Sequence, residues 1–321
     1  MAIKNSNLED SAVWSMYWSG GQRDSCLAVK SEEHQQQLHA YWLSVVDNLS
    51  ENARVLDLAC GNGAVAHVLN NARPDLWIDA VDKSDLNPLI NKESAADCNK
   101  QQSRLCFYSN TDLLELPETL SGYDLICSQF GIEYAGLASI PLAIHNRLNK
   151  QGRLAFLIHH QEGGLVSSTT AKLEEYRVLN SFKLFTLLEA RISAGESNNQ
   201  RNRNLADQNL ESAGQAYMAL GTGTMPISGS VFNVISEILK LADKNSAQAL
   251  EQLNQVILRV NAEQSRLQQM LASARSQRQI KQFDTLLAKQ GFVDRNARDF
   301  LVDVDSAKYL LAWNYQASLS S

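Results

Sequence analysis

Residues 54–63 constrain this chain more than any other stretch, because they read as a buried strand that turns on two spaced glycines into a helix. Val55, Leu56 and Leu58 form the short apolar run of a strand covered on both faces. Gly61 and Gly63 have no Cβ, so the main chain at the turn lies open to close approach by a ligand. Residues 64–69 then open a helix whose first N–H groups and dipole favour an anionic group. Asp57 is the exception in the strand. A carboxylate there is costly unless hydrogen-bonded or paired, which implies a task that an apolar residue could not perform.

Further strand and helix patterns follow in order. Residues 76–82 read as a second strand ending in Asp82, and residues 105–113 as a third strand with Asp112 in its exit loop. Residues 123–131 read as a fourth strand with the loop beyond it. A helix near 140–148 precedes a fifth strand at 153–160. After a helix at 282–290, residues 297–304 and 309–315 read as two strands joined by a short polar turn.

Together with Asp57, Ala59, Gly61 and Gly63, this order resembles the class I S-adenosylmethionine-dependent methyltransferases. The resemblance covers residues 50–160 by motif and 280–321 by topology. It implies an α/β, Rossmann-like fold: a mainly parallel seven-stranded sheet with a C-terminal antiparallel hairpin. It also implies S-adenosyl-L-methionine as cofactor, held at the turn by Asp57, Ala59, Gly61, Asn62 and Gly63. Asp82, with Lys83 beside it, would meet the ribose hydroxyls, since a carboxylate can accept two hydrogen bonds at once. Asp112 and Leu113 would lie toward the adenine, and Ser128, Gln129 and Phe130 beside the methionine end and the acceptor.

A rival reading exists. Residues 61–66 also fit the dinucleotide fingerprint G-x-G-x-x-A with Asp82 downstream, which suits a nicotinamide-dependent enzyme. Asp57 inside the strand end, Asp112 after the third strand and the terminal hairpin favour the methyltransferase.

The chain departs from a minimal fold of this kind after its fifth strand, where about 120 residues intervene before the last helix, too many for a loop. The segments 168–188, 204–220, 230–241 and 247–276 each space apolar residues three and four apart, as amphipathic helices do, with a turn-rich break at 221–229. We therefore expect three parts: an N-terminal helical segment, 1–49, over the cleft; a methyltransferase domain, 50–160 and 280–321; and an all-helical insertion, 161–279. The insertion would serve as a lid or as the surface of a homodimer. Its longest helix holds no strict heptad, which argues against a coiled coil.

Composition sets limits on partner and compartment. With 321 residues, 44% of them hydrophobic, the chain can bury a large core. No apolar run reaches the roughly 18 residues of a membrane span, and no signal-peptide pattern opens the chain, so a cytoplasmic protein without a membrane partner is expected. The five cysteines form no C-x-x-C pair and read as small core residues, with neither a disulfide framework nor a metal site implied. Cys60, within the glycine turn, is either a reactive thiol or a tight-packing side chain. A net charge of −6 disfavours a nucleic-acid partner, which would need Lys and Arg against its phosphates. Arg191, Arg201 and Arg203 fall in a polar run, 190–203, that reads as an exposed loop.

Candidates for acceptor chemistry come from elsewhere. Residues 14–23 are dense in aromatics, and Tyr17, Trp18 and Arg23 could fold across the cleft, with Arg23 suited to a carboxylate. The plainer alternative is that the rings anchor a helix on the sheet. His34, His39, Tyr41 and Trp42 sit on the next helix as packing and surface residues, with His39 a weaker catalytic candidate. Methyl transfer needs a nucleophile held in line and water excluded, and for some acceptors a base. His159 and His160 at the end of the fifth strand, which alternation points to opposite faces, are base candidates, as is Glu133; Tyr134 is a further cleft residue. The leading expectation is methylation of a small molecule. Modification of a protein or tRNA, or a non-catalytic S-adenosylmethionine-binding scaffold, are the alternatives.

Overall fold

The computed structural model describes residues 10–23, 32–86, 103–195, 199–220, 226–304 and 306–321. Cys26, Cys98 and most of the break at 221–229 lie outside the described residues. The chain forms two compact units, one from residues 1–168 and 269–321 and the other from 169–268.

The first unit begins with α1 (Asp10–Ser19) and α2 (Glu32–Val46), then β1 (Arg54–Leu58), α3 (Ala64–Ala72), β2 (Trp77–Val81), β3 (Leu105–Tyr108) and β4 (Tyr123–Gln129). It continues with α4 (Ile140–His145) and β5 (Leu148–His159), and closes with α10 (Gln277–Lys289), β6 (Phe292–Val304) and β7 (Ala307–Leu319). The strands form one sheet in the order β3-β2-β1-β4-β5-β7-β6. Strands β1 to β5 pair in parallel, and β7 pairs antiparallel with both β5 and β6. This is a Rossmann-like, mainly parallel sheet with an antiparallel C-terminal pair.

Strand alternation divides the core between two faces. Val55, Ile78, Leu125 and Ala155 pack on one side with Trp42 of α2 and Leu69 of α3. Leu56, Ile126, Phe156 and Tyr315 pack on the other with Ile144 of α4 and Phe283 of α10. Helix α10 starts on a capping box in which Ser276 and Gln279 satisfy each other's backbone amides. The edge strand β6 is mostly exposed, and its Asp294, Arg295, Arg298 and Asp299 discourage pairing with another sheet.

The second unit is helical, built from the rest of α5 (Gly164–Ser181) with α6 (Leu184–Gly195), α7 (Gln200–Ala219), α8 (Pro226–Ala242) and most of α9 (Ser246–Ser273). Tyr176, Leu188, Tyr217, Ile238 and Leu253 form its core. Buried Glu175 accepts the Ser228 amide at 2.7 Å and the Ser228 hydroxyl at 2.8 Å, which satisfies first-turn donors of α8.

Several expectations need correction. The helix expected over 168–188 is two helices, broken where Lys183 takes a left-handed φ of 54°. The periodicity runs through the break because Leu179, Leu184 and Leu188 face the same core. The loop expected at 190–203 is largely helical: α6 reaches Gly195, and α7 is capped by Asn199, whose side chain accepts the Arg201 and Asn202 amides. Arg191 pairs there with Asp207 and Asp243, so the three arginines form no loop patch. Strand β5 starts five residues earlier than expected, at Leu148. Cys106 is disulfide-bonded, its partner outside the described residues, against the expectation that no cysteine is cross-linked. Spacing along the chain carried no sign of it, because a cross-link depends on the Cα separation and Cβ directions of the folded chain. Cys60 and Cys127 are free and buried. Among the described residues no helix is long and apolar enough to cross a membrane.

Candidate functional site

From β1 the chain proceeds outward to β2 and β3, whereas β4 and β5 lie on the other side of β1. The loops leaving β1 and β4 therefore diverge, and the crevice between them is where open α/β sheets bind ligands. A cavity of about 520 Å³ lies there, entirely within the first unit, and is a size suited to a small molecule. Asp57, Ala59, Asp82, Gln129 and Phe130 reach it from the strand ends.

The glycine turn shapes this crevice through close packing. Ala59, Gly61 and Gly63 take left-handed φ values of 52°, 54° and 82°. A Cβ on Gly61 would enter the Trp18 ring, and one on Gly63 would meet the Phe107 ring. Gly61 and Gly63 thus admit neighbouring rings and do not themselves line the cavity. Asn62 is fully buried, and its Nδ2 donates to the carbonyls of Trp18 at 2.9 Å and Gln22 at 2.7 Å. Its side chain ties the segment after α1 to the turn, where the resemblance had implied a cofactor contact.

Three carboxylates stand at successive strand ends. Burial pushes the Asp57 carboxyl up to about 8; the Ala66 amide, at the first turn of α3, pulls it down, and nearby Asp82 pushes it up again. Asp57 Oδ2 is buried with no hydrogen-bond partner. Asp82 is also raised by burial, although its oxygens accept the Gly61 amide at 2.7 Å, the Ser84 amide at 2.8 Å and the Ser84 hydroxyl. Burial acts on Asp112 too, but Lys83, at 2.8 Å, and the Leu114 amide, at 2.9 Å, outweigh it and hold that carboxyl below its usual range. Lys83, Asp112 and Leu113 line the cavity, with Lys83 and Asp112 already paired to each other.

The other expected residues divide. Gln129 accepts Trp42 Nε1 at 2.7 Å, which orients its amide beside the cavity. Phe130 lines it at a left-handed φ of 56°. Ser128 does not; it is fully buried and donates its hydroxyl to the Leu58 carbonyl at 2.7 Å. Trp18, Arg23 and Tyr134 line the cavity, while Tyr17 packs edge-on against the Trp18 ring with centroids 4.9 Å apart. Cys60 also lines it, but burial and then Asp57 and Asp82 push its thiol well up, which keeps it protonated and makes it a packing residue.

None of the three catalytic candidates lines the cavity. His159 and Glu133 are fully buried and bonded to each other behind its wall. His160 lies on the opposite face, stacked on Trp313 at 4.1 Å, with its Nδ1 accepting the Glu162 amide. Burial lowers the His160 pKa, against smaller upward pulls from Asp299 and Glu162. His39 is exposed on α2. Sequence reasoning also missed Trp14 of α1 and Gln269, Ala272 and Ser273 at the end of α9, all of which line the cavity. Trp14 stands in the aromatic run and could have been included; the α9 residues are more than a hundred positions from any motif and carry no local signal. Among the described residues no group of His, Cys, Asp and Glu is placed to hold a metal.

No protein-family model and no curated protein matches the sequence. Solved structures similar to it include the plantazolicin methyltransferase in complex with SAH, 9% identical over 98% of this chain and 92% of that one, with a TM-score of 0.46. A possible exported protein from Bordetella parapertussis is 13% identical over 89% of this chain and 68% of that one, TM-score 0.42. Coclaurine N-methyltransferase, bound to N-methylheliamine and SAH, is 17% identical over 47% of this chain, which spans 45% of that one, TM-score 0.35. Likenesses this distant carry nothing about acceptor or activity.

Proposed function

We propose that the protein is an S-adenosylmethionine-dependent methyltransferase acting on a small molecule. The observation that carries this reading is the buried Asp57 carboxyl at the first turn of α3, taking the Ala66 amide while one oxygen stays unpartnered. A nicotinamide dinucleotide would set its pyrophosphate at such a helix N-terminus. An acidic group already holds that position, and Asp82 stands close enough to perturb it. A cation bound beside the Asp57 carboxyl would draw it back toward its ionised form, so the site favours a ligand that brings positive charge, as S-adenosylmethionine does with its ammonium and sulfonium groups. Antiparallel β7, set between β5 and β6, also departs from the parallel order of dinucleotide-binding folds.

The residues fit this group chemically. Asp57 would answer the ammonium, Arg23 the carboxylate, Asp82 the ribose hydroxyls and Asp112 the adenine amine. Gln129 and Phe130 would flank the methionine end and help exclude water. When bound, the cofactor supplies an electrophilic methyl on sulfur. The protein's part is to hold an acceptor atom in line behind it.

Calorimetric titration with S-adenosylmethionine, S-adenosylhomocysteine and NAD, repeated on Asp82→Ala, tests the reading. We expect micromolar binding of the two adenosyl ligands and none of NAD, with at least tenfold weakening in the variant. Binding of NAD alone would overturn the proposal. Adenosyl binding without methylation of any small molecule in metabolite extracts would leave a macromolecular acceptor or a scaffold.

A further inference from the structure

The cavity changes character from one end to the other. Asp82, Lys83 and Asp112 stand at the ends of β2 and β3, and Asp57 follows at β1. Beyond β4 the wall comes from Trp14, Phe130, Tyr134, Gln269, Ala272 and Ser273, a set without a charged side chain. Its rings are mutually braced. Trp14 meets Tyr134 edge-to-face at 5.3 Å and an 86° angle, and stacks on Trp18 at 5.9 Å and 27°. Trp14 Nε1 donates to Gln269 Oε1 at 2.8 Å, which joins α1 to the last turn of α9. Behind the wall, the His159 ring lies 4.7 Å from Phe130 and 5.9 Å from Tyr134.

Resting on the cofactor assignment above, we infer that the methyl acceptor is a neutral, flat aromatic molecule seated against this wall. Three physical points support it. Braced rings offer large apolar contact with little conformational entropy to lose. An anionic acceptor would find no cation in the wall, the cavity's Arg23 being taken by the cofactor carboxylate, and burying it unpaired is costly. A cationic acceptor could gain from the ring faces, but it would sit beside the cofactor's sulfonium while Asp57 is engaged by the ammonium. Polar Ser273 in the same wall would meet one hydroxyl or amide on the ring, the kind of atom that would receive the methyl group. Repulsion from the cofactor thus selects against positive charge, and the lack of a counter-ion against negative.

The test uses three probes with one ring system and different charges, 2-naphthol, 2-naphthoate and 1-naphthylmethylammonium, titrated into the full chain saturated with sinefungin, an analogue that carries an ammonium where S-adenosylmethionine carries its sulfonium. We expect 2-naphthol to bind at least tenfold more tightly than either ion. Trp14→Ala and, as a second variant, Tyr134→Leu should each weaken it at least tenfold, while sinefungin affinity changes less than threefold. Equal or tighter binding of the ammonium would overturn the inference in favour of a cationic acceptor, and tighter binding of the carboxylate in favour of an anionic one held by Arg23. Indifference to both variants would remove the wall from the site. If sinefungin itself fails to bind, the cofactor assignment falls, and the same charge series against the protein alone still decides the preference of the wall.

Discussion

Glu133 Oε1 lies 2.6 Å from His159 Nδ1 and also accepts the His159 backbone N–H at 2.8 Å, in a place where neither residue has any exposure. The pair joins the turn after β4 to the end of β5, and Arg275 fastens the same corner by donating its guanidinium to the Glu133 carbonyl and its amide to the His159 carbonyl. It braces the cleft wall from behind, since Phe130 and Tyr134 pack on the His159 ring. General-base work on an acceptor would need access to the cavity, which neither side chain lines.

Glu133→Ala should therefore cost about 3 kcal/mol or more in urea unfolding, because it strands a buried imidazole nitrogen and a buried amide together. Glu133→Gln keeps an acceptor for both and should cost roughly 1 kcal/mol. Near-equal losses in the two variants would contradict the bracing role.

Asp57 sets a pH dependence whose sign is fixed. Its carboxyl moves from 3.8 to about 8 on folding, so between those values the folded chain holds a proton that the unfolded chain releases. Stability then falls as pH rises through that window, by up to about 1.4 kcal/mol per pH unit for one whole proton. Asp57→Asn removes this contribution, and its unfolding free energy should fall less steeply than that of the parent between pH 5 and 8. Parallel curves would show that Asp57 ionises normally.

The contact between Gly61 and Trp18 makes a third prediction. Gly61→Ala adds a Cβ where the Trp18 ring already sits, at a φ of 54° that disfavours any side chain. We expect a loss of roughly 2–4 kcal/mol by denaturant unfolding, from backbone strain and displacement of the ring. In a Trp18→Ala background the same substitution should cost at least about 1 kcal/mol less, the strain alone remaining. Additive losses would mean that the ring does not occupy that space.

What could be read before folding was whatever is local in sequence. The strand-turn-helix at 54–69 was legible because buried apolar residues, two glycines and a helix start fall within sixteen positions. Asp82, Asp112, Gln129 and Phe130 could be placed because each ends or follows a strand of the alternating pattern. The terminal hairpin was legible in the same way, although β6 and β7 are each thirteen residues long and extend beyond the runs that marked them.

Boundaries were lost where one periodicity served two elements, as at Lys183 between α5 and α6. Residue roles were lost where they depended on partners. Asn62 sits among cofactor-like glycines, yet its amide is taken by Trp18 and Gln22, and Ser128 is taken by Leu58. His159 has a catalytic residue type at a strand end, yet Glu133 and two aromatic rings enclose it.

The sequence by itself determined the order of elements and the sites where the backbone turns toward a ligand, because both follow from neighbours a few residues apart. Only the tertiary structure decided which side chains share the cavity. Trp14 and Gln269 meet across 255 positions, and the Asp57 carboxyl is raised by surroundings that several strands supply together. Burial and hydrogen-bond partnership are properties of the packed chain, and no residue carries them alone.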